Sequence, residues 1–175
     1  MPADDPVRDL ALAALDADAQ ARELMTPVTA ARIAFSDLYR YATDPAFELS
    51  PSAQALLESD PNAAADLERL LAARPFTYMP RQAAAATSGP VRRETDAAIL
   101  TLTPSRAAPD QTYLVIELVD PGAPPPAQLF ARSADGGWTR IPLAKFDSAR
   151  VQVLLETNGE TVAVLSDPET EVYLL

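Results

Sequence analysis

Two hydrophobic periods run through this chain and divide it. Up to about residue 73, apolar positions recur at spacings of three and four. From about residue 96 they alternate. In the first region Val7, Leu10, Ala14, Ala17, Ala21 and Leu24 form one helical stripe, predicting a helix over Pro6–Met25. Val28, Ala31, Phe35, Leu38 and Ala42 form a second, with Ile33, Tyr39 and Tyr41 at its margins, predicting a helix over Pro27–Thr43. A short helix is expected over Pro51–Ser59, carrying Ala55 and Leu56. A fourth is expected over Pro61–Ala73, with Ala64, Leu67, Leu70 and Leu71 inward. Each start has the same mark: Asp5-Pro6, Thr26-Pro27, Ser50-Pro51 and Asp60-Pro61 place a capping side chain before a proline at the first helical position. Pro75 ends the last helix.

The second region reads as strands over Ala97–Thr103, Thr112–Val119, Ala127–Ser133, Trp138–Leu143, Arg150–Glu156, Thr161–Ser166 and Glu171–Leu175. Asp135-Gly136-Gly137 and Asn158-Gly159 are hairpin signals, and Asp120-Pro121-Gly122 and Asp167-Pro168 mark further turns. Such short turns require antiparallel neighbours. Leu114, Ile116 and Leu118 share an inner face, as do Val151, Val153 and Leu155. Tyr113, Val115 and Val119 make the first of these strands apolar on its other face too. A strand apolar on both faces has to be covered on both, by a second sheet, by the helices or by another subunit. The chain ends in the apolar Tyr173-Leu174-Leu175, an association risk if that strand has an open edge.

The predicted class is therefore α+β: a bundle of about four short helices, then an antiparallel sandwich or open barrel of six to seven strands. Residues 1–74 form the helical region, 75–95 a connector and 96–175 the β region, and the two parts are compatible with packing as one domain. Phe76, Tyr78 and Met79 are apolar for a free connector and are expected to dock on one of them.

Composition narrows the chemistry. The 175 residues include no histidine and no cysteine. That excludes Ser-His-Asp and thiolate catalysis, disulfides and iron–sulfur ligation, and removes the usual zinc ligands. No catalytic, cofactor or metal site is assigned. The net charge of −11 is spread evenly, with 13 acids against 7 bases in residues 1–88 and 12 against 7 in residues 89–175. Only Arg92 and Arg93 are adjacent bases, so no nucleic-acid partner is expected. No apolar run approaches the roughly 20 residues of a membrane span. The acidic start lacks the form of a secretory signal. The expectation is a cytoplasmic protein without a membrane partner. Lys145 is the only lysine against 13 arginines, and alanine and proline are abundant, which points to a GC-rich, bacterial-type genome.

Several constellations of side chains suggest chemistry but have plainer accounts. Asp167, Glu169 and Glu171 could share a face and hold a divalent cation. A solvated acidic turn explains them more simply. Glu117, in the most apolar strand, is expected at the surface or paired with an arginine such as Arg132 or Arg140. Lys145 with Ser133 or Ser148 has the residue types of a Ser-Lys dyad but no supporting motif. Trp138 follows a hairpin turn, where a tryptophan usually packs the end of a sheet. The best contact patch combines Arg32, Tyr39, Arg40, Tyr41 and Phe47, with Trp138 as a further candidate, because tyrosine, tryptophan and arginine dominate binding hot spots. The competing account is that these aromatics form the core beneath the short helices.

The function read from this pattern is a non-catalytic interaction or regulatory protein, acting on a protein partner or as a homo-oligomer. A small-ligand binding module and a carboxylate-dependent hydrolase are the alternatives.

Overall fold

The computed structural model describes residues 32–73, 75–82 and 91–175. Ile33–Leu175 is one compact unit. The helix expected over Pro6–Met25, and the first residues of the next, lie outside the described residues.

Among the described residues three helices come first: α1 (Phe35–Thr43), α2 (Pro51–Ser59) and α3 (Pro61–Ala73). α2 begins where Ser50-Pro51 predicts, with the Ser50 side chain accepting the Ala53 N–H at 3.3 Å. At α3, Asp60 Oδ1 accepts the Asn62 N–H at 2.9 Å. α1 departs from expectation. Residues 32–34 are not helical and Ala34 is extended (φ −62°, ψ 136°), so the helix begins at Phe35 without a side-chain cap. No proline or glycine marks that start, which is why periodicity ran through it. The buried faces also shift. α1 buries Leu38, Tyr41 and Ala42 while Phe35 is 64% exposed, and the residue that α2 buries is Leu57. In α3, Leu67 and Leu71 are fully buried.

Eight strands follow in two four-stranded antiparallel sheets. β1 (Thr77–Met79), β5 (Gln128–Arg132), β6 (Trp138–Pro142) and β8 (Glu171–Leu174) make the first, in the order β1-β8-β5-β6. β2 (Arg92–Glu94), β3 (Ala98–Pro104), β4 (Gln111–Leu118) and β7 (Arg150–Glu156) make the second, in the order β2-β3-β4-β7. Three expectations are corrected here. The segment 75–95 supplies two strands, Thr77–Met79 on β8 and Arg92–Glu94 on β3. Three-residue strands carry too little alternation to be read without their partners. The terminal strand has no open edge, because β8 is paired on both sides. Thr161–Ser166 is not a strand: Glu160–Ser166 is a helix, α4.

That last correction has a traceable cause. Thr161, Val162 and Val164 favour strand locally, and Asn158-Gly159 resembles a type I′ turn, which needs positive φ at both residues. Neither takes it, and Gly159 is the helix N-cap at φ −76°. Tertiary contacts decide the outcome. Leu165 is fully buried in the core shared by the two sheets, and Thr170 Oγ1 donates to the Val164 carbonyl at 2.6 Å near the helix C-terminus.

The shared core takes Leu100, Leu102, Leu114, Ile116 and Val151 from the second sheet and Met79, Leu129, Ala131, Val172 and Leu174 from the first. The other face of the first sheet presents Phe130 and Tyr173 to Leu38, Tyr41, Ala42, Leu57, Ala63, Leu67 and Leu71 of the helices. Helices and second sheet thus cover the two faces of β5 and β8, which explains why Leu129–Ala131 and Val172–Leu174 are apolar on both faces. The fully buried Arg93 crosses this core. Its Nη1 donates to the Thr170 carbonyl at 2.6 Å and its Nη2 to that of Asp167, the C-cap of α4. It lies inside the fold, not on a phosphate-binding surface.

Gly136 supplies the positive φ (92°) of the β5–β6 hairpin. The turn before β7 has no such residue: Ser148 and Ala149 carry φ of 57° and 136°. Left-handed backbone costs an alanine energy that glycine avoids. Ala149→Gly is expected to raise stability by about 1 kcal/mol, read as a higher urea midpoint at unchanged m-value.

Candidate functional site

The outward face of the first sheet is organised in rows set by strand register. Tyr78, Tyr173, Phe130 and Arg140 lie side by side across the four strands, and Glu171, Arg132 and Trp138 form the adjacent row. Tyr41 descends from α1 to meet Phe130 edge-on at 5.5 Å. The Arg140 guanidinium lies 4.5 Å from the Tyr41 ring, and its Nη1 and Nη2 donate to the carbonyls of Phe47 (2.6 Å) and Asp44 (2.7 Å). Its Nε donates to Gln128 Oε1 at 2.9 Å, and Gln128 Nε2 in turn donates to the Ala42 carbonyl. Arg140 therefore pins the segment after α1 onto β6. Burial pushes the Tyr41 phenol above its ordinary value, with the Arg140 charge opposing and Glu58 adding to the rise. Burial likewise lowers the Arg140 guanidinium, against the pull of Tyr41, Asp44 and Glu48.

The six residues of the expected contact patch separate. Tyr41 is buried in the core beneath the helices, and half-buried Trp138 packs on Tyr173 at 6.0 Å and edge-on to Phe130 at 6.5 Å. Arg40 lies over the Phe47 ring at 4.1 Å. Arg32 is exposed. Tyr39 stands apart, 44% exposed, beside Phe35. Phe35 and Tyr39 are one turn apart on α1 and line a groove of about 250 Å³ with Ala42, Thr43, Leu70, Ala73 and Leu175. The groove exists because Ala42 and Ala73 fill little of the space between α1 and α3. Sequence reasoning missed Phe35 by placing it on the inner stripe. It also missed Leu175, which only the sheet order brings beneath the helices.

The other candidate residues have local partners. Glu171 accepts the Tyr78 hydroxyl at 3.2 Å and lies 3.4 Å from Arg81 and 3.8 Å from Arg132, while Arg132 also pairs with Glu68 at 2.7 Å. Asp167 Oδ1 accepts the Glu169 N–H at 2.9 Å. Among the described residues, no group of three or more Asp or Glu side chains is arranged to hold a metal ion. Glu117 is exposed and 3.6 Å from Arg150, not from Arg132 or Arg140. Ser133 Oγ donates to Asp135 and Ser148 Oγ to Asp147, while Lys145 is exposed beside Asp147 and Arg150. A second cleft, of about 400 Å³, lies beside Arg140 and is lined by Tyr41, Glu48, Gln54 and Pro142 among others. Among the described residues no helix is long and apolar enough to cross a membrane.

No family model matches this chain, and neither the curated proteins nor the solved structures include a match to it.

Proposed function

We propose that this is a non-catalytic protein-interaction module that takes an apolar side chain of a protein partner into the groove between α1 and α3. The observation that carries the reading is the pair Phe35 and Tyr39, 64% and 44% exposed, at the lip of that groove. An exposed aromatic pair one helical turn apart has little structural reason to face water, and aromatic anchors beside a pocket are typical of binding hot spots. In this reading the two sheets form a sandwich that serves as a rigid platform for the helices. A regulatory role, a bacterial origin and a cytoplasmic setting belong to the same proposal. The bacterial origin rests on the arginine-, alanine- and proline-rich composition.

A photo-reactive phenylalanine analogue at position 35 tests the proposal in the source cell, with the same analogue at Val119, which is 54% exposed, as comparator. The expected result is a discrete adduct from position 35 that Tyr39→Asp abolishes and that position 119 does not form. Identical adducts at both positions would overturn the reading. A small-ligand role for the cleft at Arg140 is supported by its convergence of guanidinium, phenol, amide and carboxylate groups. A metabolite that raises the melting temperature of the protein but not of an Arg140→Met variant would favour it.

A further inference from the structure

β7 is an edge strand of the second sheet, paired to β4 on one side only. The register shows which of its backbone groups face outward. Leu118 N–H donates to the Ala149 carbonyl and Thr157 N–H to that of Asp110. Hydrogen-bonded pairs alternate along an antiparallel ladder, so Val151, Val153 and Leu155 also bond to β4. The N–H and C=O groups of Arg150, Gln152, Leu154 and Glu156 therefore point away from the sheet. At Arg150 both are taken by Asp147, at 2.9 and 2.8 Å. Among the described residues nothing hydrogen-bonds the outward groups of Gln152 and Leu154, and the Glu156 carbonyl accepts only Gly159 N–H. The free edge thus runs from Gln152 to Glu156. It carries no proline, no lysine and no bulge. Its inner face carries the half-buried Val153 and Leu155, and its outer face carries Leu154, 50% exposed, between the exposed Gln152 and Glu156.

We propose that two copies of this chain pair antiparallel through β7, about a two-fold axis at Leu154. This is the register that uses every free group. Leu154 faces Leu154 of the second copy, and Gln152 faces Glu156 in both directions. A two-fold axis at Val153 would set Glu156 of one copy where Asp147 already occupies the edge at Arg150. The side chains complement one another in the chosen register: the Gln152 amide donates to the Glu156 carboxylate across the axis. Arg150 lies diagonal to that same carboxylate, within reach of a long side chain. Val153 and Leu155 of the two copies close over each other, and the two sheets become one of eight strands. This inference is independent of the groove between α1 and α3, since it concerns the other sheet.

The chain contains no cysteine, which allows a direct test on the full-length protein. Sedimentation from about 1 to 100 μM, a range reporting micromolar association, is expected to show a monomer–dimer equilibrium. Leu154→Lys is expected to weaken it at least tenfold while circular dichroism stays unchanged. Leu154→Cys places two thiols across the axis at a Cα separation near 5.5 Å. It is expected to give a covalent dimer under mild oxidation much faster than Val119→Cys. A strict monomer throughout that range would overturn the proposal. So would a dimer indifferent to Leu154→Lys, or equal cross-linking at positions 119 and 154.

Discussion

Above pH 10 the protein is expected to lose stability steeply, by up to about 1.4 kcal/mol per pH unit for each of two tyrosines. The two are Tyr41 and Tyr173, 7% and 4% exposed, both in the buried cluster with Phe130. Burial raises both phenols. At Tyr173 the negative charge of Glu171 adds to the effect, and at Tyr41 the Arg140 charge offsets part of it. A phenol whose folded value is raised contributes stability that is fully present below the unfolded value near 10. That stability is lost as pH climbs from there toward the folded value, because only the unfolded chain ionises freely in that window. Melting temperature and phenolate absorbance, followed together between pH 8 and 12, should show the two buried rings ionising only as the fold is lost. Tyr41→Phe keeps the ring against Phe130 and Arg140 but removes the proton, and should make the alkaline decline shallower. Tyr41 and Tyr173 titrating near pH 10 with the melting temperature unchanged would contradict this account.

Replacing Arg93 by alanine is expected to cost about 3–4 kcal/mol. The side chain spans the core from β2 to the turn after α4 and satisfies two carbonyls at once, those of Thr170 and Asp167. Truncation opens a cavity and leaves the Thr170 carbonyl, in a fully buried residue, without its donor. It also removes a positive charge from the C-terminal end of α4, where the helix dipole favours one. Burial holds this guanidinium below its ordinary value, the Asp167 charge partly countering, so retaining the charge inside has a cost of its own. Arg93→Met separates the two contributions. It restores much of the volume but neither hydrogen bond, and should cost about 1–2 kcal/mol. Urea unfolding at neutral pH measures both. A methionine variant as stable as the parent would mean that the buried charge offsets all its hydrogen bonds provide.

Much of the fold was legible in advance. Ser50-Pro51 and Asp60-Pro61 located two helix starts, and alternation located six strands to within a residue or two. Capping, proline geometry and a two-residue period are local effects, visible in a short window. The errors share a different origin. Phe35 satisfies a helical stripe but faces out, because α1 turns Leu38, Tyr41 and Ala42 inward. Thr161–Ser166 has strand-forming residues yet is helical, because the core offers a place for Leu165 and the turn at Thr170 closes the helix end. Thr77–Met79 and Arg92–Glu94 become strands only through β8 and β3. The candidate contact residues were chosen by type, and type alone could not separate Tyr39, at the surface, from Tyr41, two residues on and buried.

Residue order by itself determined where the backbone turns, where most elements lie and what chemistry is missing, since these depend on neighbours a few positions away. Tertiary structure decided which aromatic faces water, which arginine lies inside and which strand edge stays unpaired. Those outcomes depend on contacts between residues far apart in the chain: Arg93 meets Thr170, and Arg140 meets Asp44. No short window contains both partners of either pair.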